Sequence, residues 1–153
     1  AKRATDDDVW SQLCNPSGRH PRHPQDLDAA LVALRADRRL LNVKLCTLAI
    51  TAYSHHRRWK DSLRLLADMQ RDVVEPSVIS YNAAIGACSR AREWQWALDL
   101  LQQLRSSDLE VDVVSYNSAI SACRHDGAWQ TAVVLLAEMV RSSLEPNVIT
   151  CNA

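Results

Sequence analysis

VISYNAAIGACSRAREWQWALDLLQQLRSSDLEVD, residues 78–112, runs directly into VVSYNSAISACRHDGAWQTAVVLLAEMVRSSLEPN, residues 113–147, and the two agree at 16 of 35 positions. The same register extends upstream through VKLCTLAITAYSHHRRWKDSLRLLADMQRDVVEPS (43–77) and downstream into VITCNA (148–153). Self-similarity at a fixed period of this size marks stacked supersecondary units, none of which buries its apolar face alone. The expected fold is therefore an all-α solenoid of helix-turn-helix repeats.

Each unit carries two helical stripes. Tyr81, Ala84, Ile85 and Cys88 fall at i, i+3, i+4 and i+7, one face of a helix. Trp94, Ala97, Leu98, Leu101 and Leu104 form a second stripe. The next unit repeats both, as Tyr116, Ala119, Ile120 and Cys123, then Trp129, Ala132, Val133, Leu136 and Met139, with a break at Asp126-Gly127. Glu75-Pro76-Ser77, Glu110-Val111-Asp112 and Glu145-Pro146-Asn147 precede the first helices. Proline stops a helix, and Ser, Asp and Asn are favoured N-caps. The organisation expected is an irregular segment or eroded first helix over 1–24, a degenerate leading half-repeat over 25–42, and units 43–77, 78–112 and 113–147. Residues 148–153 open a further unit, so the chain reads as a piece of a longer array.

Composition narrows the classes. Gly is scarce at three residues, which suits helices over turn-rich sheets. Lys and Arg number 18 and Asp and Glu 18, a balance unfavourable to nucleic-acid binding in general. The basic group Arg57, Arg58, Lys60 and Arg64 reads as a solvated helix face. Cys14, Cys46, Cys88, Cys123 and Cys151 show no paired spacing, and Cys88 and Cys123 share one slot a unit apart, so they read as small buried apolar groups in a reducing compartment. His20, His23 and Cys14 lack a fourth partner for a metal, and His55 and His56 read as solvated turn residues. No cofactor, metal, membrane span or catalytic constellation is expected, and the three periodic tryptophans, with Tyr81 and Tyr116, read as packing groups.

The pattern V-x-[ST]-Y-N-x-x-I-x-A-C, then W-x-x-A-x-x-L-L, then E-P-[NS] at period 35 resembles the pentatricopeptide repeat, clearly over 43–153 and by register over 25–42. The tetratricopeptide repeat runs at 34 residues, and its Gly-x-x-Tyr is missing here. The resemblance implies a right-handed superhelix whose first helices line a concave surface, and single-stranded RNA read at one base per unit. It also implies an organelle, chloroplast or mitochondrion, and a role in RNA processing or stabilisation.

By the same resemblance the readers are Thr47 with Ser77, Asn82 with Asp112, and Asn117 with Asn147, while Asn152 has its partner beyond the chain. Lys44, Ile79, Val114 and Ile149 would flank the bases, with Lys44 departing from the aliphatic pattern. The family's pairing preferences suggest uracil for Asn82 with Asp112, cytosine or uracil for Asn117 with Asn147, and adenine for Thr47 with Ser77. Independently, Ile79, Asn82 and Gly86 form a stripe rotated away from the Tyr81 stripe, free to meet a ligand. An amide offers a donor and an acceptor side by side, whereas an Asp only accepts. Ser77, Asp112 and Asn147 are equally what an N-cap requires. Asn82 and Asn117 gain nothing from helix propensity, so their recurrence asks for a use. The competing expectation is a protein-binding α-solenoid scaffold of tetratricopeptide-like type, with protein partners on the repeat surface and zero net charge in its favour.

Overall fold

Asn42, Ser77, Asp112 and Asn147 stand one period apart and open four helices. The computed structural model describes residues 25, 27–29, 31–32, 42–71, 74–124 and 127–152. Expectations for residues 1–24, including Cys14, His20 and His23, lie outside them. The first helix of each unit is α1 (Val43–His55), α3 (Val78–Ala91), α5 (Val113–Cys123) and the short α7 (Val148–Asn152). The second helices are α2 (Trp59–Arg71), α4 (Trp94–Ser106) and α6 (Trp129–Arg141). Among the described residues there is no strand, and no helix is long and apolar enough to cross a membrane.

Each first helix is capped by the side chain just before it. Asn42 accepts from the Leu45 N–H at 2.9 Å, Ser77 from Ser80 at 3.3 Å and Asp112 from Ser115 at 2.8 Å. Asn147 Oδ1 takes both the Ile149 and Thr150 N–H groups, at 3.0 and 3.1 Å. Each cap contributes about 1 kcal/mol by satisfying orphan donors of the first turn.

The turn between the two helices repeats as faithfully. Arg57, Arg92 and Gly127, again a period apart, hold φ of 59°, 66° and 69°. Only the third unit places there the residue type that tolerates this conformation without a Cβ penalty. Arg92→Gly should therefore raise stability by about 1 kcal/mol. Gly127→Ala should lower it by a similar amount, since an added Cβ meets nothing within 4 Å and the cost is confined to the backbone. Urea midpoints at unchanged slope report both.

The core lies where the stripes meet. Tyr81, Ala84, Ile85 and Cys88 from α3, Ala97, Leu100, Leu101 and Leu104 from α4, and Tyr116, Ala119, Ile120 and Cys123 from α5 are buried in one continuous cluster. Successive first helices pack closely, α1 on α3 and α3 on α5, whereas successive second helices make no comparable backbone approach. That asymmetry curves the stack with first helices inside and second helices fanned outside. Long side chains bridge the outer fan: the Trp59 and Trp96 rings lie 6.1 Å apart, and Arg105 reaches Glu138 at 2.8 Å. Burial pushes the Cys88 thiol up to about 12, helped by the Glu93 charge, and burial raises Cys123 as well, so both remain protonated packing groups.

Three expectations change. Trp129 is 64% exposed and Val133 and Leu136 are also exposed, so on α6 only Leu135 and Met139 are buried. Among the described residues no further second helix lies against that side of α6. The basic group is not uniformly a solvated face. Arg58 bonds to Asp28 at 2.8 Å and Asp61 at 2.7 Å and lies 4.8 Å over the Tyr53 ring, while Tyr53 donates to Asp28 at 2.6 Å. The hydrogen bond from Arg58 holds the Asp28 carboxyl below its ordinary value, and this clasp joins the leading segment to the first unit. His56 is half-buried, its Nε2 enclosed without a hydrogen-bond partner.

Candidate functional site

The inner face is built from the first turn of each first helix and the cap of the next. In unit 78–112, Asn82 is half-buried and its Nδ2 donates to both oxygens of Asp112, at 3.1 and 3.3 Å. Its Oδ1 accepts from the Ser115 hydroxyl at 2.6 Å. In unit 113–147, Asn117 Nδ2 donates to Asn147 Oδ1 at 3.3 Å, and Asn117 Oδ1 accepts from the Thr150 hydroxyl at 2.6 Å. The structure thus brings together both predicted amide pairs, residues 30 apart in sequence.

The first pair differs. Thr47 Oγ1 donates to its own helix at the Val43 carbonyl, 2.7 Å, and lies 2.6 Å from Ser80 Oγ. Ser77 Oγ is 3.2 Å from that same Ser80 hydroxyl, so the bonds linking Thr47 and Ser77 run through Ser80. Asn152 is exposed and its backbone carbonyl accepts from Arg124 at 3.3 Å. Asn117 is the most enclosed of the four candidates, 7% exposed, under the start of α7. Ile79, Val114 and Ile149 are 69%, 55% and 65% exposed, an aliphatic row that the core does not use. Lys44 is exposed in the same place.

Capping and pairing are not alternatives here. Because backbone N–H groups only donate, the oxygen of Asn147 must face the helix start, and it therefore also receives the amide of Asn117. Asp112 Oδ1 does both likewise. The cap orients its partner. What sequence reasoning missed is the hydroxyl on the other side of each reader, Ser80, Ser115 and Thr150. Their signal was present as the [ST] of the motif, a residue class with no helix advantage recurring at the same place.

Burial alone would push the Asp112 carboxyl up, but bonds from the Ser115 N–H and hydroxyl, the Asn82 amide and the Val114 N–H outweigh it and hold it below the ordinary value. Such a carboxyl stabilises the fold at every pH above its unfolded value of about 3.9. That contribution fades as pH falls through the lower folded value. Asp112→Asn is expected to flatten the stability profile below about pH 4 and leave it parallel near neutrality, read from urea midpoints across pH.

Among the described residues no group of His, Cys, Asp and Glu is gathered in a way that holds a metal ion. The site is a row of amides and hydroxyls between exposed aliphatic side chains, suited to hydrogen-bonding and sandwiching flat polar rings.

An α-solenoid of 35-residue helical hairpins with paired polar side chains on its inner edge defines a class. The PPR repeat family matches residues 76–125 and 111–153, and the pentatricopeptide repeat domain matches 37–90. The chain belongs to the pentatricopeptide repeat family. It is similar to the pentatricopeptide repeat protein PPR10 in complex with an 18-nt psaJ RNA element, at 27% identity and TM-score 0.68, covering 82% of this chain and 20% of that one. It also shares the fold of PPR10 from maize, at 23% identity and TM-score 0.72, covering 82% and 18%. The chain thus spans about a fifth of the length of these relatives. No curated protein matches the chain.

Proposed function

We propose that the chain binds single-stranded RNA selectively, reading about one base per unit along its inner face. The observation that carries this is the pair of Asn82–Asp112 and Asn117–Asn147 couples, a period apart and each followed by an exposed aliphatic residue. Likeness to PPR10, solved with an RNA element, supports it. A side-chain amide oriented by its cap presents one donor and one acceptor, which matches a pyrimidine edge. Ile79, Val114 and Ile149 supply apolar faces against which bases stack. We assign uracil to Asn82 with Asp112, cytosine or uracil to Asn117 with Asn147, and adenine to Thr47 with Ser77. The role proposed is in organellar RNA processing or stabilisation, with no chemistry performed by these residues.

A titration against single-stranded oligonucleotides and a duplex of the same length tests the reading. Single strands should win, and affinity should fall as salt rises, through released counterions. Equal binding of both, or a flat salt response, removes RNA as the ligand. The scaffold alternative draws on the zero net charge, and indifference to oligonucleotide sequence is the outcome it requires.

A further inference from the structure

We propose that Ser80, Ser115 and Thr150, the third residues of successive first helices, position the reading side chain of the unit before them, so that each base is read by two consecutive units. This rests on the RNA reading of the inner face. Three independent contacts share one geometry: Ser80 Oγ to Thr47 Oγ1, Ser115 Oγ to Asn82 Oδ1 and Thr150 Oγ1 to Asn117 Oδ1 are each 2.6 Å. The hydroxyl-bearing residues are 0%, 0% and 6% exposed, so they act on a ligand only through the reader.

Proton accounting gives each contact a direction. A hydroxyl has one proton and two lone pairs. Thr150 Oγ1 accepts from the Asn147 N–H at 3.0 Å, leaving its proton for Asn117 Oδ1. Ser80 Oγ likewise accepts from the Ser77 N–H at 3.3 Å. Thr47 gives its own proton to the Val43 carbonyl, so the Ser80 proton goes to Thr47. Ser115 shares its one proton in a three-centre bond between the Asn82 oxygen, the nearer at 2.6 Å, and the Asp112 oxygen at 2.8 Å, and the amide meets it with its oxygen because its NH2 is held by Asp112.

Two consequences follow for specificity. Asn82 and Asn117 are held between an acceptor on one side and a hydroxyl donor on the other, so neither amide flips, and each shows a base a fixed order of donor and acceptor. Thr47 has no proton left to give and presents a lone pair alone. It selects a base that carries an exocyclic amine.

Ser115→Ala and Ser115→Thr test this on the whole chain. In the RNA-free protein, Ser115→Ala should shift or broaden the side-chain amide resonances of Asn82. With RNA, it should cut discrimination at the Asn82 base about fivefold, leave discrimination at the Asn117 base unchanged, and Ser115→Thr should restore wild-type behaviour. Loss of a cap or of packing alone would lower the melting temperature without moving a ratio at one base. Unchanged Asn82 resonances and base preference in a folded Ser115→Ala protein overturn the proposal and leave the RNA reading standing. Should the unaltered chain show no base preference, the RNA reading fails and takes the proposal with it, whereas an Asn82→Ala protein that keeps its preference shows that the base is read elsewhere and overturns the proposal alone. If Ser115→Ala does not fold, the isosteric Thr150→Val, read at Asn117, decides on the same criteria.

Discussion

Asn82→Ala is expected to abolish base discrimination at one position of a bound RNA, by about tenfold or more, with neighbouring positions unaffected. The amide removed is half-buried and bonded on both sides, to Asp112 and to Ser115, so its edge is presented rigidly. Rigid presentation is what separates one pyrimidine from the other, because a freely rotating amide accepts either donor order. The fold should tolerate the change. Alanine is the better helix former, the Ser115 hydroxyl retains Asp112 Oδ1 at 2.8 Å, and Asp112 still caps α5 through the Ser115 N–H. Competition binding with oligonucleotides differing at a single base, beside a thermal melt, separates the two effects. A variant that melts like wild type and keeps its uracil preference would show that the base is read elsewhere.

The largest stability effect belongs to the middle unit. Ile85→Ala should cost about 3 kcal/mol, the lost transfer energy of a fully buried branched side chain plus the cavity it leaves. Ile85 is 0% exposed on α3, the helix that packs on α1, α2, α4 and α5 together. In a stack held by nearest-neighbour interfaces, damage there weakens the coupling on both sides. Val133→Ala on α6 is the matched control, since that side chain is 57% exposed and its truncation should stay within about 0.5 kcal/mol. Urea denaturation of both variants gives the comparison, and equal losses would mean that the units do not share one core.

How much of this was legible beforehand depended on how local each cause is. Ser77, Asp112 and Asn147 could be placed at helix starts because a cap acts within three residues of itself. The Tyr81 and Tyr116 stripes could be assigned to the core because helical periodicity is written in adjacent turns. Trp129 could not be distinguished from Trp59 and Trp94 on those grounds: the three occupy one position in the repeat, and only the neighbour standing against each decides its exposure. Arg58 looked like one of four surface cations, yet the carboxylates that hold it come from the first turn of the helix it precedes and from Asp28, 30 residues away.

The site divides the same way. Which residues are amides or hydroxyls, and that they recur together, is a property of the chain as written. The period, the two helices per unit and their capped starts follow from it, because each depends on side chains a few positions apart. The direction in which Asn82 and Asn117 point belongs to the folded stack alone. Asn82 is bonded to Asp112 and Ser115, and Asn117 to Asn147 and Thr150, residues 30 and 33 positions further along, and those contacts exist only once two hairpins have closed against each other.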